Sequence, residues 1–365
     1  MAGRNKLCLS VITADVGGFI GNVSSHPEVL DTAKETLDTA KGKAQLRDFH
    51  VLRCGDDLAL VITHEAGCES RALHEVAWKT FISCRDVAIG LKLYGTGHGL
   101  SKQEFAGSIK GMGPGVAEME FVERESESIV IFLINKAATG PFNLPLYKIF
   151  ADPFNTPGLI LDKTMSDGFS FRIRDLVNCK EITLPAPDRL HEILALAGSG
   201  ARYVITGVAK NSNGENAAAV SAHKIADGGC EAGLCEPAAI LRCQTGFPTV
   251  GEVMEAFAFP HMVSGWLRGA HNGPLLPVPF YEANPTRFDG PPRLISAGFQ
   301  IADGRLLGPH DMFDDPSFDE TRRLSNQITE YIRRHGPFEP HRLPEDRLKA
   351  TNLPAMIDAI KDKFK

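Results

Sequence analysis

The feature that most constrains the fold is a run of six apolar residues, IVIFLI, at positions 129–134. The run is far shorter than the roughly 20 residues that a helix needs to cross a bilayer. A short apolar run rich in β-branched residues is typical of a strand that is buried on both faces. We therefore predict a strand at ESIVIFLIN and another at VAEMEFVE, forming a pair inside a sheet.

The rest of the chain alternates between strand and helix patterns. Alternating apolar residues predict a strand over 6–15, and residues 49–65 predict a strand, a tight turn and a second strand. Apolar residues at helical spacing and capping residues predict helices over 26–43, 70–91 and 316–334. The stretch 140–160, with its four prolines, is predicted to be an ordered loop, and further strands are predicted at RYVITGVAK and AAILRCQ.

Composition limits the partners and the compartment. The 365 residues carry 39 basic and 45 acidic side chains, a net charge of −6, which gives no polycationic face for nucleic acid. The N-terminal segment lacks the pattern of a signal peptide and no apolar run spans a membrane, so we expect a cytoplasmic protein with its eight cysteines reduced. Without repeats, linkers or a break in composition, one domain over 1–365 is the simplest expectation.

The stretch GGCEAGLCEP at 228–237 places two cysteines five residues apart in a glycine-rich segment. Cys230 and Cys235 do not have the Cys-x-x-Cys spacing that redox pairs and zinc knuckles use. A structural zinc held by this pair alone is therefore not expected.

Three aspartates stand where strands end or turn. Asp15 closes the first predicted strand, and Asp56 with Asp57 lies at the predicted hairpin turn. Carboxylates in such positions are the hard oxygen ligands that Mg²⁺ needs, but aspartates in turns also form purely local hydrogen bonds. The segment GMGPG could offer backbone N–H groups to a phosphate or could be a plain turn, and the acidic DMFDDPSFDE is explained by the start of a helix.

Longer strings identify a relationship. GDDL, GMGPGVAEME, NLPLYKIFADPFNTPGLI, EAFAFPHMVSGWLRG and TRFDGPPRL closely resemble the fructose-1,6-bisphosphate aldolase/phosphatases of archaea and deep-branching bacteria. The resemblance implies an α/β (α+β) fold, a single-domain four-layer α-β-β-α sandwich, and a homo-octamer with active sites near subunit contacts. In that family, one pocket joins two triose phosphates through a lysine Schiff base and then hydrolyses the product with several Mg²⁺ ions.

Residues that match the family's motifs are implied to share its roles. Asp15, Asp56 and Asp57 are implied as metal ligands. Arg268 alone would be interpreted as a packed surface side chain beside a tryptophan, but the resemblance implies that it binds a phosphate. The sugar-phosphate pocket is implied to contain the matching residues Tyr94, Lys136, Gln244, Arg268 and Asp289, together with Asn22 and His98 at pocket positions where the residue type differs.

The segment GLCEP departs from the family's Gly-Lys-Asp-Asp-Pro. Leu234 stands at the position of the Schiff-base lysine, Cys235 and Glu236 replace two metal-binding aspartates, and Glu231 stands at the position of the partner tyrosine. Leucine has no amine and cannot form an iminium. The resemblance therefore implies that the aldolase mechanism is lost.

Other departures change the expected pocket and replace hard oxygen ligands of the metal site with softer ones. A family aspartate is Asn135 here, a phosphate-binding histidine is Asn22, a pocket glutamine is His98 and a C-terminal tyrosine is Ala350. Cys235, His98 and an aspartate would suit Zn²⁺, Fe²⁺ or Mn²⁺ rather than Mg²⁺. The alternative is that Cys235 only fills space and His98 only forms a hydrogen bond.

The sequence supports three hypotheses for the function. The first is metal-dependent hydrolysis of a sugar phosphate, with Asp57, Lys136 and Glu236 as catalytic residues and a metal site of Asp15, Asp56, Asp57, Cys235, Glu236 and His98. The second is a transition-metal-assisted lyase, isomerase or dehydratase on a related carbonyl compound, with Glu231 or Glu236 as base. The third is a non-catalytic sugar-phosphate-binding homologue.

Overall fold

The computed structural model describes most of the chain. The described residues are 6–42, 44–96, 100, 104–135, 137–138, 140–221, 224–226, 229–231, 237–267, 271–285, 290–334 and 353–361. The helices are α1 Pro27–Ala40, α2 Arg71–Gly90, α3 Asn143–Ala151, α4 Gly158–Leu161, α5 Leu190–Ala197, α6 Val250–Glu255, α7 Asp319–Arg334 and α8 Leu353–Ile360. In this part of the chain, no helix is both long enough and apolar enough to span a bilayer.

Most of the strands belong to two sheets. The first eight strands are β1 Lys6–Asp15, β2 Leu46–Cys54, β3 Asp57–His64, β4 Gly115–Val122, β5 Glu127–Asn135, β6 Phe169–Asp175, β7 Lys180–Pro185 and β8 Tyr203–Lys210. The others are β9 Asn216–Val220, β10 Lys224–Ala226, β11 Gly229–Glu231, β12 Ala238–Cys243, β13 Met262–Leu267, β14 His271–Pro274, β15 Leu276–Pro277, β16 Arg293–Ala302 and β17 Arg305–Asp311.

The small sheet has the order β2-β3-β1-β4, and the large sheet has the order β15-β16-β5-β12-β9-β8-β6-β7 with β17 beside β16. All pairs in these two sheets are antiparallel except β15–β16. The remaining strands form two separate hairpins, β10–β11 and β13–β14.

Side-chain alternation stacks these elements into four layers. On β1, Leu9 and Val11 pack against the large sheet, whereas Ile12 and Ala14 pack with α1 and α2 on the opposite face. On β5, alternate residues face the small sheet, and the others face a third apolar cluster that includes residues of α3, α5 and α6. The α-β-β-α sandwich is therefore confirmed, and one domain over 1–365 stays a prediction.

The elements expected from the sequence agree with the structure at most positions. The strand over 6–15, the two strands within 49–65, the first two helices and the strands β8 and β12 are confirmed. The helix over 316–334 is confirmed with one change, since its first turn, Pro316–Phe318, is a 3-10 turn capped by the Asp315 side chain.

Two expectations were wrong. The strands β4 and β5 do not pair with each other, because β4 is the edge strand of the small sheet and β5 lies inside the large one. The predicted loop 140–160 contains α3 and α4. Pro145 lies in the first turn of α3, where a missing N–H is tolerated, and Pro153 follows that helix.

We predict that Phe132→Ala lowers the free energy of unfolding by about 3–5 kcal/mol, because it leaves a cavity in the core. Phe132 is completely buried, and its ring centroid lies 4.5 Å from that of Phe257 and 6.2 Å from that of Phe313. Urea denaturation, monitored by circular dichroism, measures the decrease in the free energy of unfolding. The control is Phe154→Ala, since Phe154 is 97% exposed, and it should change the stability by less than about 0.5 kcal/mol. Equal effects of the two substitutions would contradict the assigned layer.

Candidate active site

The register of two neighbouring strands brings Asp15 and Asp57 together. β1 and β3 are antiparallel, and Asp15 stands directly opposite Asp57. Residues in this relation have Cα atoms about 5 Å apart, and their side chains share one face of the sheet. Asp15 is an even number of residues from Leu9 and Val11, so its side chain lies on the same face of β1, which looks toward the large sheet. Asp57 stands directly opposite and shares that face. Like charges in this arrangement repel, and the repulsion must be offset locally.

The hairpin between β2 and β3 adds a second carboxylate. β2 ends at Cys54 and β3 begins at Asp57, so that Gly55 and Asp56 form a two-residue turn. Gly55 has a φ of +64°, which suits the first position of such a turn. Asp56 and Asp57 are 1% and 6% exposed. Two adjacent carboxylates are therefore buried at the end of the layer between the sheets.

Asn135 connects these carboxylates to the large sheet. It is the last residue of β5 and is buried, and its Nδ2 donates to Asp57 Oδ2 at 2.6 Å and to Asp56 Oδ1 at 3.3 Å. Among the described atoms, its own Oδ1 is buried and has no hydrogen-bond partner. The site thus connects the two sheets, and the Asn135 amide oxygen is available to accept a hydrogen bond or to bind a cation.

Two glycines allow the close approach of backbone and side chains. A Cβ atom on Gly55 would lie 2.6 Å from Asn135 Nδ2, and one on Gly18 would lie 2.6 Å from Asp56 Cβ. The segment that contains Gly18 is held in place by paired hydrogen bonds of 3.0 Å with the backbone of Tyr94. Ser25 Oγ also donates to the backbone carbonyl of Asp56 at 2.8 Å.

Two further groups at this end of the layer were missed in the sequence analysis. Cys54 is buried, and burial together with the negative charge of Asp57 raises the pKa of its thiol. Arg293, the cross-strand partner of Asn135 on β16, has its pKa lowered by burial, and its Nε lacks a partner among the described atoms. TRFDGPPRL includes Arg293, but only knowledge of the β5–β16 register shows its position.

The structure brings only some of the expected pocket residues near the aspartates. Asn22 lies in a tight turn with a φ of +51°, and Tyr94 lies next to Gly18 but its side chain is 61% exposed. Gln244 follows β12 at Cys243, whose partner on β5 is Ser128. Ser128 is seven residues before Asn135, roughly 23 Å along a strand. Within one subunit, Gln244 is therefore far from Asp57.

Several positions singled out in the sequence lie outside the described residues. They are the expected site residues His98, Lys136, Cys235, Glu236, Arg268 and Asp289, and the departures Leu234 and Ala350. Within the described ranges, no three His, Cys, Asp or Glu side chains come together in a way that could hold a metal ion. Asp15, Asp56 and Asp57 therefore do not form a complete metal site by themselves.

Comparison with known proteins gives full-length matches. The sequence model of a family described as fructose-1,6-bisphosphatase matches residues 6–365. A protein of Methanothermobacter marburgensis named fructose-1,6-bisphosphate aldolase/phosphatase is 50% identical over 360 residues, covering 98% of this chain and 99% of the relative. A relative of the same name from Ignicoccus hospitalis is 48% identical, and the match covers 99% of this chain and 93% of the relative. Another from Moorella thermoacetica is 46% identical, and the match covers 98% of this chain and 94% of the relative.

We predict that Gly55→Ala destabilises the protein by roughly 1–3 kcal/mol more than Gly42→Ala does, because the added Cβ would overlap Asn135. Gly42 is the matched control, since its φ of +80° is also positive but nothing lies within 4 Å of its added Cβ. Gly42→Ala should lower the free energy of unfolding only by the strain of placing an alanine at a positive φ, about 1–2 kcal/mol. Urea denaturation of both variants measures the difference. Equal losses would show that Asn135 does not lie against Gly55.

Proposed function

Because the chain belongs to the fructose-1,6-bisphosphatase family, we propose that it hydrolyses a phosphate ester of a sugar bisphosphate, fructose 1,6-bisphosphate or a close analogue. One observation carries the proposal: Asp15 stands opposite Asp57, and Asp56 and Asp57 converge on the buried amide of Asn135. In many phosphatases, carboxylates hold divalent cations, and these cations neutralise the phosphate charge and activate water.

The donor set suits a hard divalent cation. Asp56 and Asp57 offer carboxylate oxygens, and Asn135 Oδ1 is a buried oxygen without a hydrogen-bond partner among the described atoms. Such oxygens are the ligands that Mg²⁺ prefers. A cation would also offset the repulsion between Asp15 and Asp57. We propose that these residues bind Mg²⁺ or Mn²⁺, with the expected ligand Glu236 as a further oxygen donor. His98 and Cys235, where they also bind the ion, would favour Mn²⁺ over Mg²⁺.

A cation bound here would supply a Lewis acid for phosphate oxygens and would lower the pKa of a bound water. The chain's own residues hold the carboxylates in place. Asn135 orients Asp57 through its 2.6 Å hydrogen bond, and Ser25 holds the backbone of Asp56. Lys136 follows Asn135 directly in the sequence. We propose that its ammonium group and the Arg268 guanidinium bind the charge of the phosphoryl group, and that Glu236 accepts a proton.

The proposal includes the loss of the aldol reaction. The names of the relatives include an aldolase activity. In this chain Leu234 stands where the resemblance implies the Schiff-base lysine, and a leucine side chain cannot form an iminium. The metal-assisted lyase depends on Cys235 and His98, and no observation on the described residues favours it over hydrolysis.

The position of Gln244 bears on the predicted oligomer. Gln244 is roughly 23 Å from the end of β5 that carries Asn135, at about 3.3 Å per residue. If Gln244 contacts the same substrate molecule as Asp57, the two residues must come from different subunits. The predicted homo-octamer, with sites near subunit contacts, would meet this requirement.

We predict that the metal-stripped protein releases phosphate from fructose 1,6-bisphosphate when Mg²⁺ or Mn²⁺ is restored, and that Asp57→Asn lowers the rate by at least about 100-fold because it removes a charged ligand. Colorimetric phosphate release measures the rate. Asp31→Asn, on the exposed surface of α1, is the matched control and should leave the rate unchanged. An Asp57→Asn variant as active as the native protein would contradict the assigned role.

We also predict that borohydride does not trap a triose phosphate on the protein, because Leu234 supplies no amine. Intact-protein mass spectrometry after borohydride treatment should show no added mass, and no bisphosphate should form from triose phosphates. The relative from Methanothermobacter marburgensis serves as the comparison protein. A trapped adduct would show that another lysine has taken over the role.

A further inference from the structure

Cys8 and Cys68 form a close thiol pair away from the candidate active site. Their Sγ atoms are 3.0 Å apart, although sixty residues separate them in the sequence. Cys8 lies on β1 opposite His64 and is 1% exposed. Cys68 is exposed and lies in the loop between β3 and α2. Both cysteines are free thiols in the structure.

We propose that Cys8 and Cys68 form a disulfide when the protein meets a low-molecular-weight disulfide such as oxidised glutathione. A disulfide has an S–S distance of about 2.05 Å, so the two sulfurs need to approach by only about 1 Å. The loop is anchored near them, because the Glu69 backbone N–H donates to Glu118 Oε2 at 3.0 Å. The geometry therefore brings together two thiols that the sequence alone does not pair.

The surroundings give the two cysteines different roles. Cys68 lines a cleft of about 670 Å³, which gives a small disulfide room to reach its sulfur. Cys8 is hydrogen-bonded to Cys68 and buried, and both effects raise the pKa of its thiol. Cys68 is therefore the thiol that reacts first, and Cys8 is the thiol that resolves the intermediate.

The reaction consists of two exchanges. The Cys68 thiolate attacks one sulfur of the small disulfide, forms a mixed disulfide and releases one small thiolate. The small thiolate released in the first exchange takes the proton of Cys8, and the Cys8 sulfur attacks the Cys68 sulfur and displaces the second small thiolate, which takes a proton from solvent. Overall, the two cysteines lose two electrons and two protons, and the small disulfide is reduced to two thiols.

The bond would stabilise the fold and leave the candidate site in place. Cys8 is seven residues before Asp15 on the same strand, roughly 23 Å away. The link would join β1 to the loop that leads into α2, whose N-cap is Ser70. Closing a loop of this length restricts the unfolded chain, so that oxidation is expected to raise the melting temperature by about 5 °C.

We would incubate the folded, full-length protein with oxidised glutathione, alkylate the remaining thiols and map the peptides by mass spectrometry. In the native protein, Cys8 and Cys68 should both lose their thiols, retain no glutathione at either position and yield a Cys8–Cys68 cross-linked peptide. Cys8→Ser should instead keep one glutathione on Cys68, and Cys68→Ser should form no cross-link to Cys8. Cys179→Ser, which removes an exposed cysteine elsewhere, should form the Cys8–Cys68 link as the native protein does.

Three outcomes would overturn the proposal. The first is a folded native protein that keeps both thiols, and the second is one that retains glutathione on Cys68 without forming the link to Cys8. The third is a cross-link that forms only after denaturation in urea, since the link would then not depend on the folded geometry. If Cys8→Ser does not fold, Cys8→Ala replaces it in the same comparison.

Discussion

The hydrogen-bonded register between β1 and β3 fixes the position of the candidate site. It sets Asp15 opposite Asp57, and a shift of one residue would turn every side chain of β1 to the other face. Such a shift is strongly disfavoured, because Leu9 and Val11 are buried between the sheets while Ile12 and Ala14 are buried against α1 and α2. Two like charges are thus held side by side by apolar packing, and a bound cation would offset their repulsion.

The site also depends on the way the two sheets pack. Asp57 belongs to the small sheet and Asn135 to the large one, and the 2.6 Å hydrogen bond between them crosses the layer that joins the sheets. Gly55 makes this approach possible because it has no Cβ. A change in the packing of residues such as Ile131 or Leu133 between the sheets would therefore change the positions of the carboxylates as well as the stability of the fold.

Sequence reasoning works best here where local patterns determine structure. The strand β5 and the aspartates at the β2–β3 turn could be predicted, because the run IVIFLI and the turn residues act locally. The prediction of a loop at 140–160 was wrong because Pro145 lies in the first turn of α3 and Pro153 follows that helix, where a proline does not interrupt the helix. The partners of β4 and β5, the neighbours of Asn135, the separation of Gln244 from Asp57 and the contact of Cys8 with Cys68 depend on tertiary packing, which one sequence does not reveal.

The cation site is tested most directly by Mn²⁺ binding to the metal-stripped protein, measured by electron paramagnetic resonance of the unbound ion. It reports on the carboxylates without requiring any turnover. We expect the native protein to bind Mn²⁺ stoichiometrically and the Asp57→Asn variant to lose this binding while remaining folded. Equal Mn²⁺ binding by the two proteins would contradict the proposal that Asp57 binds the cation together with Asp15, Asp56 and Asn135.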